Sequence, residues 1–204
     1  MPQLKNWCEE VLILLSSVQP RTIPISINTR TVLVFTGGSW EDGVAGLGAA
    51  LLDESTGSRV VIQDRVQENL LSLWKGLVGD QLICQIELLA MVLVRWQWKH
   101  ELHSRRVLLF VYNNSARGGA VKGSSNSPTM DDLVKAFYAI EVHLPSFWWV
   151  ERVPSKSNPA DEPSRFEGQE AALRWKAHFL PRFECQDQVA DWPVKAAENR
   201  RLGS

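Results

Sequence analysis

Two acids, Glu87 and Asp161, stand in surroundings that call for an explanation. Glu87 lies in Gln85-Ile86-Glu87-Leu88-Leu89-Ala90, and Ile83, Ala90 and Val94 line its helical face. An ionised carboxylate there is costly unless it has a partner, which favours a site role over that of a solvated surface acid. Asp161 belongs to Asn158-Pro159-Ala160-Asp161-Glu162-Pro163-Ser164-Arg165, directly after the strand-like Phe147 to Val153. It is suited to cap a helix, and a capping carboxylate can still serve as a ligand. Carboxylate oxygens suit hard divalent cations such as Mg²⁺. Four basic residues, Arg117, Lys122, Lys156 and Arg165, fall in loops or helix starts toward the same end of the fold. They are either contacts for a few phosphates or solvated surface charge.

The elements that must position these residues follow from periodicity. Residues 1–20 read as an amphipathic helix, with Leu4, Trp7, Val11, Leu14, Leu15 and Val18 at helical spacing, and Pro20 ends it. Thr31 to Thr36 is a buried strand stopped by Gly37-Gly38. Ala45 to Leu52 and Ser58 to Ile62 complete an antiparallel meander, with turns at Glu41-Asp42-Gly43 and Asp53 to Gly57. Gln81 to His100 is a long helix with apolar residues on two sides, as a central helix requires. Val107 to Val111 is a fourth strand, Asn113-Asn114-Ser115 an N-cap region, and Thr129-Met130-Asp131-Asp132 has the form of a capping box. Phe147 to Val153 is a fifth strand, and Ala160 to Phe179 is expected to be helical in pieces, interrupted around Pro163. The order βββαβαβα predicts an α/β fold: a five-stranded mixed sheet with helices on both faces. We expect an N-terminal helix and connector over 1–29, one domain over 30–180, and a tail over 181–204 that docks or frays.

Four segments in this order resemble the active-site motifs of the ribonuclease H domain of retroelement reverse transcriptases. Thr36-Gly37-Gly38-Ser39-Trp40 resembles the first-strand motif Thr-Asp-Gly-Ser, with Gly37 at the aspartate position. Gln85 to Ala90 resembles the central-helix motif, with Glu87 matching its glutamate. Phe110-Val111-Tyr112-Asn113-Asn114-Ser115-Ala116 resembles the fourth-strand motif, with Tyr112 at its aspartate. Asn158 to Arg165 resembles the last motif, with Asp161 as its acid. The resemblance implies the ribonuclease H-like fold and a site whose four acids hold two Mg²⁺ roughly 3.5–4 Å apart to hydrolyse RNA in RNA–DNA hybrids.

Here Glu87 and Asp161 survive, while Gly37 and Tyr112 occupy lost acidic positions. Each missing charge is worth roughly 4 kcal/mol at a few ångström and an effective dielectric near 20. Tyr112 also puts an aromatic ring where an ion would sit. At most one weakly held Mg²⁺ is expected, through Glu87 and Asp161. Asn113 neighbours the lost side chain on a strand and so points to the opposite face. Glu41 and Asp42 are the nearest replacement acids, and they read as hairpin-turn residues. The leading reading is a catalytically degenerate domain acting through binding or structure. The alternative is an active Mg-dependent ribonuclease H within a reverse transcriptase. A third is an interaction subunit of a larger protein or ribonucleoprotein complex, suggested by Trp148-Trp149, which one strand directs to opposite faces.

Composition narrows the classes. The 204 residues are 45% apolar with nine Trp and seven Phe, ample for a packed core. The net charge of −1 lacks the basic excess of a protein that binds nucleic acid by bulk electrostatics, so any such contact rests on a local patch or depends on a partner or a fused domain. No apolar run approaches the ~20 residues of a membrane span. Glu9 and Glu10 precede the first apolar run, unlike the basic start of a signal peptide, and a soluble intracellular protein is expected. Cys8, Cys84 and Cys185 are too dispersed for a zinc site or a disulfide framework.

Overall fold

The structure is a computed structural model describing residues 31–142 and 144–193. The expected N-terminal helix and connector over 1–29 and the end of the tail lie outside the described residues. Strand β1 (Val32–Glu41) pairs antiparallel with β2 (Val44–Asp53), which pairs antiparallel with β3 (Ser58–Arg65). Asp42 and Gly43 make the first turn at φ 49° and 79°, the left-handed pair that a two-residue type I′ hairpin demands. Helices α1 (Glu68–Val78) and α2 (Ile83–Gln97) lead to β4 (Arg106–Val111), parallel to β1. Helices α3 (Asn114–Lys122) and α4 (Pro128–Ala139) lead to β5 (Phe147–Arg152), parallel to β4. The short α5 (Asp161–Ser164), then α6 (Gly168–Trp175), bring the chain to β6 (His178–Leu180), parallel to β3.

The sheet order is β5-β4-β1-β2-β3-β6. An antiparallel meander extended by two parallel strands through helical crossovers, with helices on both faces, is an RNase H-like α/β fold. Its core is α2, in which every residue from Gln85 to Arg95 is buried against β1, β2, α3 and α4. Two apolar stripes on one helix leave no face for water, so α2 must sit between layers. On the other face, Ala172 and Trp175 of α6 pack on Ala50 and Val61.

Some details differ from the periodicity reading. Helix α1 buries Leu70, Leu71 and Trp74, in a segment to which no element was assigned. A three-residue β6 adds a sixth strand beyond the expected five. The Thr129 capping box does not form: α4 begins at Pro128 with Ser127 at its N-cap, because proline presets the first helical φ. Thr129 Oγ1 instead accepts a hydrogen bond from Gln85 Nε2 at 3.1 Å, tying α4 to α2. Pro163 lies inside α5, where its missing N–H falls in the first turn, and the break comes after Ser164. The described part of the tail docks: Asp64 accepts from the Phe183 N–H at 2.8 Å and from Gln186 Nε2 at 2.7 Å, and Phe183 is buried.

Trp148 packs edge-on to Phe137, while Trp149 is 65% exposed on edge strand β5, the opposed directions expected of strand neighbours. Burial pushes the Cys185 thiol up to about 12, as befits a structural cysteine. Among the described residues, no helix is long and apolar enough to cross a membrane.

Candidate functional site

Successive residues of a strand face opposite sides of the sheet, and β1 uses this to meet two layers with two glycines. A Cβ on Gly38 would stand 2.8 Å from Ile86 Cγ2 and 3.2 Å from Glu87 Cγ, so α2 lies directly over it. A Cβ on Gly37 would stand 2.7 Å from the Ala160 carbonyl oxygen and 3.5 Å from the Asp161 nitrogen. Glu87 thus approaches β1 from one side, and the segment carrying Asp161 approaches from the other.

Glu87 is 3% exposed and accepts a hydrogen bond from the Gly38 backbone N–H. Its Oε2 has no hydrogen-bond partner among the described residues. Burial pushes its pKa up to about 8, against the pull of the Gly38 N–H, and the Asp161 charge pushes the same way. At neutral pH the protonated form is therefore favoured.

Asp161 opens α5 without capping it. Its Oδ1 accepts from Ser155 Oγ at 2.9 Å and its Oδ2 from Arg165 Nε at 3.3 Å. Arg165 also pairs with Glu41. Arg117 of α3 pairs with Glu151 at 3.2 Å. Lys122 is exposed in the last turn of α3, and Lys156 is exposed in a 3-10 turn, Ser155–Ser157. Two of the four sequence-identified cations are thus held by carboxylates, which weakens the local patch. Tyr112 follows β4, is 45% exposed, and carries the Arg152 guanidinium 5.4 Å from its ring centre. Asn113 Oδ1 caps α3, accepting from the Ser115 and Ala116 N–H groups at 2.8 and 3.0 Å. Asp42 is a turn residue, as its place before Gly43 suggested.

Two positioning residues were not singled out from the sequence. Buried Asn158 donates from Nδ2 to the Thr36 carbonyl at 2.8 Å and accepts from the Ala160 N–H at 3.1 Å. Ser39 Oγ donates to the Ser164 carbonyl at 2.5 Å. Both lie within the quoted motifs, and nothing in their local sequence distinguishes them from turn residues.

The donor set does not fit the two-ion arrangement implied by the resemblance. Asp161 is engaged by a hydroxyl and a guanidinium, and position 37 has neither a side chain nor room for one. Among the described residues, no group of three or more His, Cys, Asp or Glu is placed to hold a metal ion.

No protein-family model matches the sequence, and no curated protein matches it. Among solved structures, the chain is similar to RNase H1 from the halophilic archaeon Halobacterium salinarum, at 14% identity and a TM-score of 0.47, over 71% of this chain and 99% of that one. It is also similar to the N-terminal RNase H domain of a Mycobacterium tuberculosis protein, at 15% identity and 0.43, over 71% and 98%. A third likeness is to LC11-RNase H1, solved in complex with an RNA/DNA hybrid, at 16% identity and 0.46, over 69% and 98%. Strand order and crossovers carry the fold assignment.

Proposed function

We propose that this chain is a catalytically degenerate RNase H-like domain of retroelement reverse-transcriptase origin, acting through binding or as a structural or interaction subunit. One observation carries the reading: position 37 supplies no carboxylate, and the Ala160 carbonyl oxygen, 2.7 Å from where a Cβ would stand, leaves no room for one. A site built for hard cations needs charged oxygens converging on one point, and here positions 37 and 112 carry no carboxylate. Four motifs in family order support the lineage. For binding, Arg117, Lys122, Lys156 and Arg165 are the proposed phosphate contacts to an RNA–DNA hybrid or RNA, with Glu87 and Asp161 the surviving members of the old site. The exposed Trp149 supports a role in a larger protein or ribonucleoprotein complex.

The test incubates the purified protein with an RNA–DNA hybrid and Mg²⁺ or Mn²⁺. No cleavage is expected. Metal-dependent cleavage that disappears in Glu87→Gln would overturn the reading.

A further inference from the structure

Gly37 and Gly48 pair across β1 and β2, and Ser39 pairs with Gly46. With a period of two, these residues share one sheet face, and three of the four carry no side chain. The backbone of 160–164 lies directly on that face. The Ala160 oxygen occupies the space that a Gly37 Cβ would approach to 2.7 Å. A Cβ at Gly48 would collide with the same oxygen and stand 2.5 Å from the Ser164 nitrogen. A Cβ at Gly46 would collide with the Ser164 oxygen. These neighbours are backbone atoms, which cannot swing aside as a side-chain end does.

Polar contacts fasten the segment in place. Asn158 reaches the Thr36 carbonyl, one residue before Gly37, and Ser39 holds the Ser164 carbonyl. Within the segment, the Ser164 N–H donates to the Ala160 oxygen at 3.1 Å, so that carbonyl is fixed as well.

We infer that Gly37, Gly46 and Gly48 form a side-chain-free seat for the backbone of residues 160–164, so that a side chain at 37 and Asp161 in its present place exclude each other. Position 37 is a load point between two layers, and an acid put back there displaces the segment that carries the other acid. The correspondence of position 37 to a former acid rests on the proposed function; the seat itself rests only on geometry.

The experiment compares Gly37→Ala and Gly37→Asp with Gly118→Ala, a control in α3 whose added Cβ meets nothing within 4 Å. Equilibrium unfolding and amide exchange across residues 158–165 are measured for each. Glycine inside a strand or helix is ordinarily a weakness that alanine repairs, so a loss on adding one methyl is diagnostic. We expect Gly37→Ala to lower the folding equilibrium constant at least tenfold and to speed exchange at Ser164 and Arg165. Gly37→Asp loses more, or fails to fold while the control folds. Gly37→Ala at or above wild-type stability, with unchanged exchange, overturns the seat. Hybrid cleavage by the wild type would sink the degeneracy reading and leave these measurements untouched.

Discussion

Replacing Glu87 by Gln should flatten the dependence of stability on pH between about 5 and 8. Glu87 has an ordinary value of 4.5 and is pushed up to about 8 in the fold, chiefly by burial. Between those values the native state holds a proton that the unfolded chain has released, so stability falls as pH rises. The favourable contribution is fully present below pH 4.5 and is lost as pH climbs through about 8. At about 1.4 kcal/mol per pH unit, the interval corresponds to roughly 5 kcal/mol at most. Relaxation around the ionised carboxylate and entry of water reduce this, and a loss of about 2–4 kcal/mol is expected. Glutamine has the same shape and keeps an oxygen for the Gly38 N–H, yet it cannot ionise. The assay is urea unfolding of both proteins at about pH 5, 6, 7 and 8. Other titrating groups are common to the two and cancel in the difference, and Cys185 titrates above this range. The wild type should lose stability relative to the variant steadily across the window. If the two profiles run parallel, Glu87 is ionised throughout, and the account of a neutral buried acid is wrong.

Asn158→Ala should cost about 2–4 kcal/mol in denaturant unfolding, because it strands the Thr36 carbonyl and the Ala160 N–H in a buried setting. A loss within about 0.5 kcal/mol, the range of ordinary surface changes, would mean that Asn158 does not hold the last motif to β1. Asp53 accepts from Arg105 Nη2 at 2.9 Å and from the Ser55 N–H at 2.9 Å, and the guanidinium holds its carboxyl far below the ordinary 3.8. That contribution is present above pH 3.8 and is lost as pH falls through the depressed value. Asp53→Asn should therefore cost about 2–3 kcal/mol at neutral pH, and the gap to the wild type should narrow on acidification. A gap that stays constant with pH would show that the pair contributes through shape rather than charge.

The five main strands and the central helix were legible because their signals are local. Thr31 to Thr36 is β-branched and apolar, and α2 carries two apolar stripes over fifteen residues, so neither needs a distant partner to be recognised. Helix α1 also has helical spacing, in Leu70, Leu71 and Trp74, but it buries only these three residues and its flanks are polar. Strand β6 is three residues long and exists through its pairing with Val60 to Ile62, which no local pattern announces. The start of α4 was misplaced by competing cap signals, Ser127-Pro128 against Thr129.

For the site, the sequence alone determined which chemical groups are available: carboxylates at 87 and 161, none at 37 or 112, and a serine, asparagine and glycine set beside them. Residue type is a property of the chain and needs no fold. Only the tertiary structure decided what those groups are. Burial between β1 and the surrounding helices pushes the Glu87 carboxyl up to about 8. Tyr112 lies half-exposed against Arg152 of the neighbouring strand. Gly37 has become a seat because the Ala160 carbonyl oxygen, more than a hundred residues away in sequence, occupies the space a Cβ would need. Dielectric surroundings and steric room are set by atoms close in space and far apart in the chain, and no reading of residue order contains them.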